Sequence, residues 1–112
     1  MDSKFGTKLE DLERRLLHQP GALDPAIRQA AAIGGETPQA LADYVAKVRD
    51  HAYTVTDQDV RQLLEAGYSE DQIFELTVAT AYGAARLRLD RGLDALADRS
   101  TPSPTSADGG DR

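Results

Sequence analysis

The chain has 112 residues, a formal net charge of −6, no Cys, no Trp and 5% aromatic residues. That length suits one domain with one modest core. Zero Cys excludes disulfides, thiolate metal sites and thiol redox chemistry, and the acidic balance argues against nucleic acid or an anionic membrane surface, which reward excess Lys and Arg.

Residues 7–18 predict a first helix, with Leu9, Leu12, Leu16 and Leu17 on one stripe and Gln19-Pro20-Gly21 as its stop. Asp24-Pro25 opens a short second helix, Asp as N-cap and Pro at the first helical position. Ile27, Ala30, Ala31 and Ile33 form its apolar side, and Gly34-Gly35 ends it. Thr37-Pro38 repeats the same start signal, for a third helix to about His51 carrying Leu41, Tyr44, Val45 and Val48 at helical spacing. Residues 52–55 form a non-periodic junction. Thr56 caps an acidic first turn, and the fourth helix carries Val60, Leu63 and Leu64 before Gly67 closes it.

Ser69-Glu70-Asp71-Gln72 is a capping box, and a long last helix runs from it to about Ala97. Its first half is apolar nearly all round: Ile73, Phe74, Leu76, Val78, Ala79, Ala81, Ala84, Ala85. Such a helix must be covered on every side, which points to a subunit interface. Ala79, Gly83 and Ala84 allow close helix approach. The second half sets Leu89, Leu93 and Leu96 against Arg86, Arg88, Asp90, Arg91 and Asp94. Residues 99–112, rich in Pro, Gly and Ser, lack the apolar mass to order and read as a disordered tail. The expected class is all-α with five helices in one domain over 1–98.

No secretory apolar core stands in the first twenty residues. The longest nearly charge-free run, Ile73 to Ala85, falls short of the roughly 20 residues that span a bilayer. A cytoplasmic protein without membrane contact is expected. Gly34-Gly35 and Gly109-Gly110 lack the context of a phosphate loop, and no G-x-S-x-G occurs. The two His residues, His18 and His51, lack companions at metal-ligand spacing, so neither metal nor cofactor is expected.

Glu75 is the only charged residue between Gln72 and Arg86. One reading makes it a general acid/base facing a pocket, with a raised pKa. The other makes it a structural carboxylate bonded to an Arg or to backbone N–H groups. His51, Tyr53 and Thr54 stand at a helix junction, where scaffolds present functional groups. Thr77 and Thr80 can bond back to the preceding turn, and Tyr82 can anchor an interface through its hydroxyl. Candidate catalytic residues are therefore Glu75, His51 and Tyr53; candidate substrate contacts are Thr54, Thr80 and Tyr82. The charged residues of the first and last helices read most simply as solvated faces.

Three phrases together carry a family resemblance. They are His51-Ala52-Tyr53-Thr54-Val55-Thr56-Asp57-Gln58-Asp59-Val60, Leu64-Glu65-Ala66-Gly67-Tyr68-Ser69-Glu70-Asp71-Gln72-Ile73-Phe74-Glu75-Leu76, and Ala81-Tyr82-Gly83-Ala84. Over about residues 38–97 the chain resembles the carboxymuconolactone decarboxylase / alkylhydroperoxidase D-like superfamily. The resemblance implies an all-α fold assembled as trimers or hexamers. Peroxidase members carry C-x-x-C, a following His and an upstream Glu of a proton relay. Counting back from Gly67 puts those positions at Ala52, Val55, Asp59 and, for the Glu, near Ala40. Ala and Val supply neither the attacking nor the resolving thiol.

The expectation is a cysteine-less, cofactor-free, homo-oligomeric relative without thiol peroxidase activity. Two alternatives stay open. One is an enzyme using Glu75, His51 and Tyr53 to move a proton on a small carbonyl or lactone ligand. The other is a helical accessory subunit.

Overall fold

The computed structural model describes residues 3–100, with side chains over 7–98. All regular structure among them is helical. The helices are α1 (Ser3–Glu13), α2 (Pro25–Ile33), α3 (Gln39–Asp50), α4 (Asp57–Glu65) and α5 (Glu70–Ser100). A π-helical turn, Arg14–His18, continues α1, and a 3-10 turn, Ala52–Thr54, links α3 to α4. Arg99 and Ser100 thus end α5, while positions 101–112 of the expected tail lie outside the described residues.

The start and stop signals act as the local chemistry demands. The Asp24 carboxylate accepts from Ala26 N, with Pro25 at the first helical position. Gly34 ends α2 in the left-handed region, φ 74°, where a side chain would be strained. Thr56 and Asp59 form a reciprocal capping box on α4. Ser69 and Gln72 do the same on α5, at 2.9 and 3.1 Å. The third start differs: Pro38 itself is the cap residue of α3, and no side chain caps that end. Thr37 stands one position too early to serve.

The main core joins Leu23, Ala31, Leu41, Tyr44, Val45, Val48, Leu63, Ile73 and Leu76, so α3 buries the face its spacing foretold. A smaller cluster of Leu17, Ala32 and Ala79 sits where the π turn meets α2 and α5. Expected core positions that are exposed include Leu12, Ile33 and Leu64. Leu12 is 41% exposed in α1, while in the following π turn Leu17 is buried and Leu16 packs beside it. Ile33 is 79% exposed at the end of α2, while Arg28 on the same helix is buried. The inward face of α2 is set by alanines that let it lie directly on α5. At that crossing a Cβ on Gly83 would stand 1.9 Å from the Ala32 carbonyl oxygen. Glycine at 83 is therefore what the contact requires.

No helix among the described residues is long and apolar enough to cross a membrane. The first half of α5 does bury Ile73, Leu76, Ala79, Thr80 and Ala84, but Phe74 is 68% exposed. Every described side chain of α5 from Leu87 on is exposed.

Candidate functional site

The polar residues singled out by sequence occupy separate places. Glu75 faces the loop before α2. Pro20 and Gly21 turn that loop so that two N–H groups need an acceptor, and the Glu75 carboxylate takes both, from Ala22 and Leu23, each at 2.9 Å. Gln72 donates to the Ala22 carbonyl at 3.1 Å. Arg28, 3% exposed, donates to the carbonyls of Leu23 (3.1 Å), Leu16 (2.8 Å) and Gln19. Its Nε stands 3.9 Å from Glu75 Oε1. Burial pushes the Glu75 pKa up, but the two N–H bonds and the Arg28 charge outweigh it, and the net shift is downward from 4.5. Glu75 and Arg28 together staple this loop to α2 and α5.

His51, Tyr53 and Thr54 do stand together, on the 3-10 turn. The Thr54 hydroxyl and N–H both donate to the His51 carbonyl, at 2.7 and 2.8 Å, and the His51 and Tyr53 rings meet edge-on at 6.1 Å. Tyr53 is 86% exposed, on an open surface. Among the described residues, no hydrogen bond, ion pair or ring contact joins this group to Glu75. Thr80 lies in the interior and donates to the Leu76 carbonyl at 2.7 Å. Thr77 donates to the Ile73 carbonyl and meets the Tyr44 hydroxyl, both at 2.7 Å.

Tyr82 lies in a third place, a groove of about 270 Å³ between α1, α2 and α5. Its hydroxyl donates to Glu13 at 2.9 Å and accepts from Arg86 at 3.4 Å. Arg86 also pairs with Asp90 at 3.2 Å and approaches Glu13 at 3.7 Å. Burial raises the Tyr82 pKa. Glu13 and Arg86 are thus parts of an interhelical network rather than only solvated faces. Leu17, Ile33 and Leu87 give the groove its apolar wall.

The fourth place holds two positions that the family resemblance singled out, Asp59 and Ala40, beside Lys47, which the sequence did not mark. A cleft of about 500 Å³ opens between α3 and α4, lined by Ala40, Asp43, Tyr44, Lys47, Asp59, Gln62 and Leu63. Lys47 Nζ donates to both Asp59 oxygens at 2.9 Å. Thr56 N donates to Asp59 Oδ2, also at 2.9 Å. These bonds hold the Asp59 pKa below its ordinary value, the Lys47 bond most of all. Asp59 is therefore a fixed anion near neutral pH and a poor proton carrier. Lys47 and Asp59 are twelve residues apart on different helices, so no single-helix pattern reveals them. Among the described residues, no group of three or more His, Asp or Glu side chains is placed to hold a metal ion.

No family model matches the chain, and neither the curated proteins nor the solved structures contain a significant match.

Proposed function

We propose that the chain is a small carboxymuconolactone decarboxylase-like helical protein that assembles with copies of itself and carries no thiol peroxidase activity. One observation carries the family part. Counting back from Gly67 puts the family's His position at Asp59 and its Glu position near Ala40, and those two residues, on the neighbouring helices α3 and α4, line one cleft. In place of a relay the cleft holds the Lys47–Asp59 ion pair. The chain has no Cys, so a thiolate nucleophile is absent from its 112 residues.

The downward shift at Glu75 weighs against proton transfer by that residue, since a general acid/base at neutral pH needs its pKa raised. The exposed leucines of α5 favour assembly. Purified protein is tested in two ways. Hydroperoxide is supplied with a dithiol reductant, and no consumption above the protein-free rate is expected. Light scattering is expected to give a mass of several chains. Thiol-dependent turnover refutes the first half of the proposal. A one-chain mass refutes the second and leaves the accessory-subunit alternative.

A further inference from the structure

α5 has two apolar faces; the body of the protein packs on one and reaches the other only at its start, where Phe74 and the half-buried Val78 border Leu16 and Pro20. At ~100° per residue, Ile73, Leu76, Ala79, Thr80, Gly83 and Ala84 fall in one sector, which packs on α2 and α3. On the opposite side, Phe74, Val78, Ala81, Ala85, Leu89, Gly92 and Leu96 fall within a sector about 80° wide. No charged residue lies in that seam between Phe74 and Leu96. Phe74, Leu89 and Leu96 are 68, 45 and 61% exposed, and a Cβ on Gly92 would meet nothing within 4 Å. The charges of the second half, Arg86, Asp90, Arg91, Asp94 and Asp98, continue the inward sector, where the helix runs past the body into water. Arg88 is drawn aside to the Arg49 carbonyl at 3.0 Å. The outward face thus stays apolar along nearly the whole helix.

We infer that this seam is covered by the same seam of a second copy, the two α5 helices running antiparallel about a two-fold axis at Ala85. The inference rests on the self-assembly proposed above and specifies its interface. Its first support is the order of residue sizes. Reversal about Ala85 sets Phe74 against Leu96, Val78 against Gly92, and Ala81 against Leu89, with Ala85 meeting itself. Apart from the outer pair, each large side chain then meets a small one, as interdigitation needs. A parallel pair would set Leu89 on Leu89 and leave Gly92 facing Gly92, with a void between. The second support is extent. The seam is about 33 Å long at ~1.5 Å per residue, and a contact one helix diameter wide (~10–12 Å) buries roughly 700–800 Å² over the pair, the size of a small interface. The third is the half of α5 beyond Leu87, exposed all round in one chain. A free helix of about 12 residues is marginal in water. Antiparallel pairing lays it on the partner's half that its own body supports.

The absence of Cys makes single-cysteine crosslinking unambiguous. The full chain carrying Ala85→Cys, oxidised under mild conditions, is expected to lose most of its monomer band to a disulfide-linked dimer, since helices crossing at Ala85 bring the Cα atoms within the usual ~4.4–6.8 Å. Phe74→Cys alone should stay uncrosslinked, whereas mixed with Leu96→Cys it should crosslink. Leu89→Arg, at an exposed position, should at least halve the mass from light scattering with an unchanged circular dichroism spectrum. A multi-chain wild type that crosslinks at Phe74→Cys alone, or that ignores both Ala85→Cys and Leu89→Arg, overturns the antiparallel interface and leaves self-assembly standing. A one-chain wild type overturns both.

Discussion

Replacing Gly83 by Ala tests the packing of α2 on α5 through the sign of its effect. In an exposed helix interior, Gly→Ala stabilises by up to about 1 kcal/mol, because Ala loses less backbone entropy. Here the new methyl would stand 1.9 Å from the Ala32 carbonyl oxygen and 2.5 Å from that residue's Cα and carbonyl carbon. These are backbone atoms of a packed helix and cannot rotate aside. α2 would have to move out by roughly 1.5 Å, the gap between 1.9 Å and ordinary contact. That shift loosens Ala31, Ala32 and Ala79, which are 0–4% exposed, and stretches the 2.8 Å bond from Arg49 to the Ala32 carbonyl. Overpacking costs about 1–3 kcal/mol, and rigid neighbours put this site at the upper end. Less the propensity gain, about 2 kcal/mol of destabilisation is expected, near 10 °C in Tm for a domain of this size. Thermal unfolding at fixed protein concentration, followed by circular dichroism, measures it. Gly67→Ala is the comparison: φ is 105° there but nothing lies within 4 Å, so backbone strain alone should cost about 1–2 kcal/mol. A Gly83→Ala variant as stable as wild type or more so refutes the close crossing.

Arg28→Met keeps the stem but strips the donors from the carbonyls of Leu16, Gln19 and Leu23, and urea unfolding should show a loss of about 3 kcal/mol. Glu75→Gln should destabilise at about pH 7 and flatten the acid limb of the stability curve. The sign follows from the lowered folded pKa: the Glu75 contribution is present above its ordinary 4.5 and is lost as pH falls through the folded value. Wild type and variant should therefore converge in urea midpoint toward about pH 3, and a gap that widens on acidification refutes the assigned role. Thr56→Ala removes the hydroxyl that accepts from Asp59 N at 3.3 Å, and about 1 kcal/mol should disappear from the same urea measurement.

Local start signals translated well into structure because they are short-range chemistry. Asp24, Thr56 and Ser69 each cap within three residues of themselves, so the sequence neighbours that satisfy them are fixed in advance. Glu75 shows where this stops. Its isolation on an apolar helix marked it, but the two N–H groups it accepts from lie 52 and 53 residues earlier, in a loop without periodicity. The same loop hides Leu23, 2% exposed, from any helical pattern. Arg28 had a faint signal: it lies three and four residues from Ala31 and Ala32 on α2, so it shares their inward face. A charged residue on that face must reach backbone carbonyls, as Arg28 does. The candidate site was less legible than the fold. Caps need only one element, whereas a cleft such as that of Ala40, Lys47 and Asp59 exists only once α3 and α4 have been set side by side.

The apparent all-round apolarity of the first half of α5 comes from two stripes on opposite sides, each with its own composition. The inward stripe is built from small residues where α2 crosses, and its tolerance is fractions of an ångström at Gly83. The outward stripe mixes large residues with small ones and touches nothing of its own chain at Gly92. Past Arg86 the first stripe turns charged and the second does not. A helix that merely overran its core would lose both stripes at once, because water sets the same demand on every face beyond the body. Only the face that leaves the core changes character here. Retention of Leu89 and Leu96 on the other is what the proposed α5–α5 contact would require, since that contact extends well beyond the body that α5 packs against.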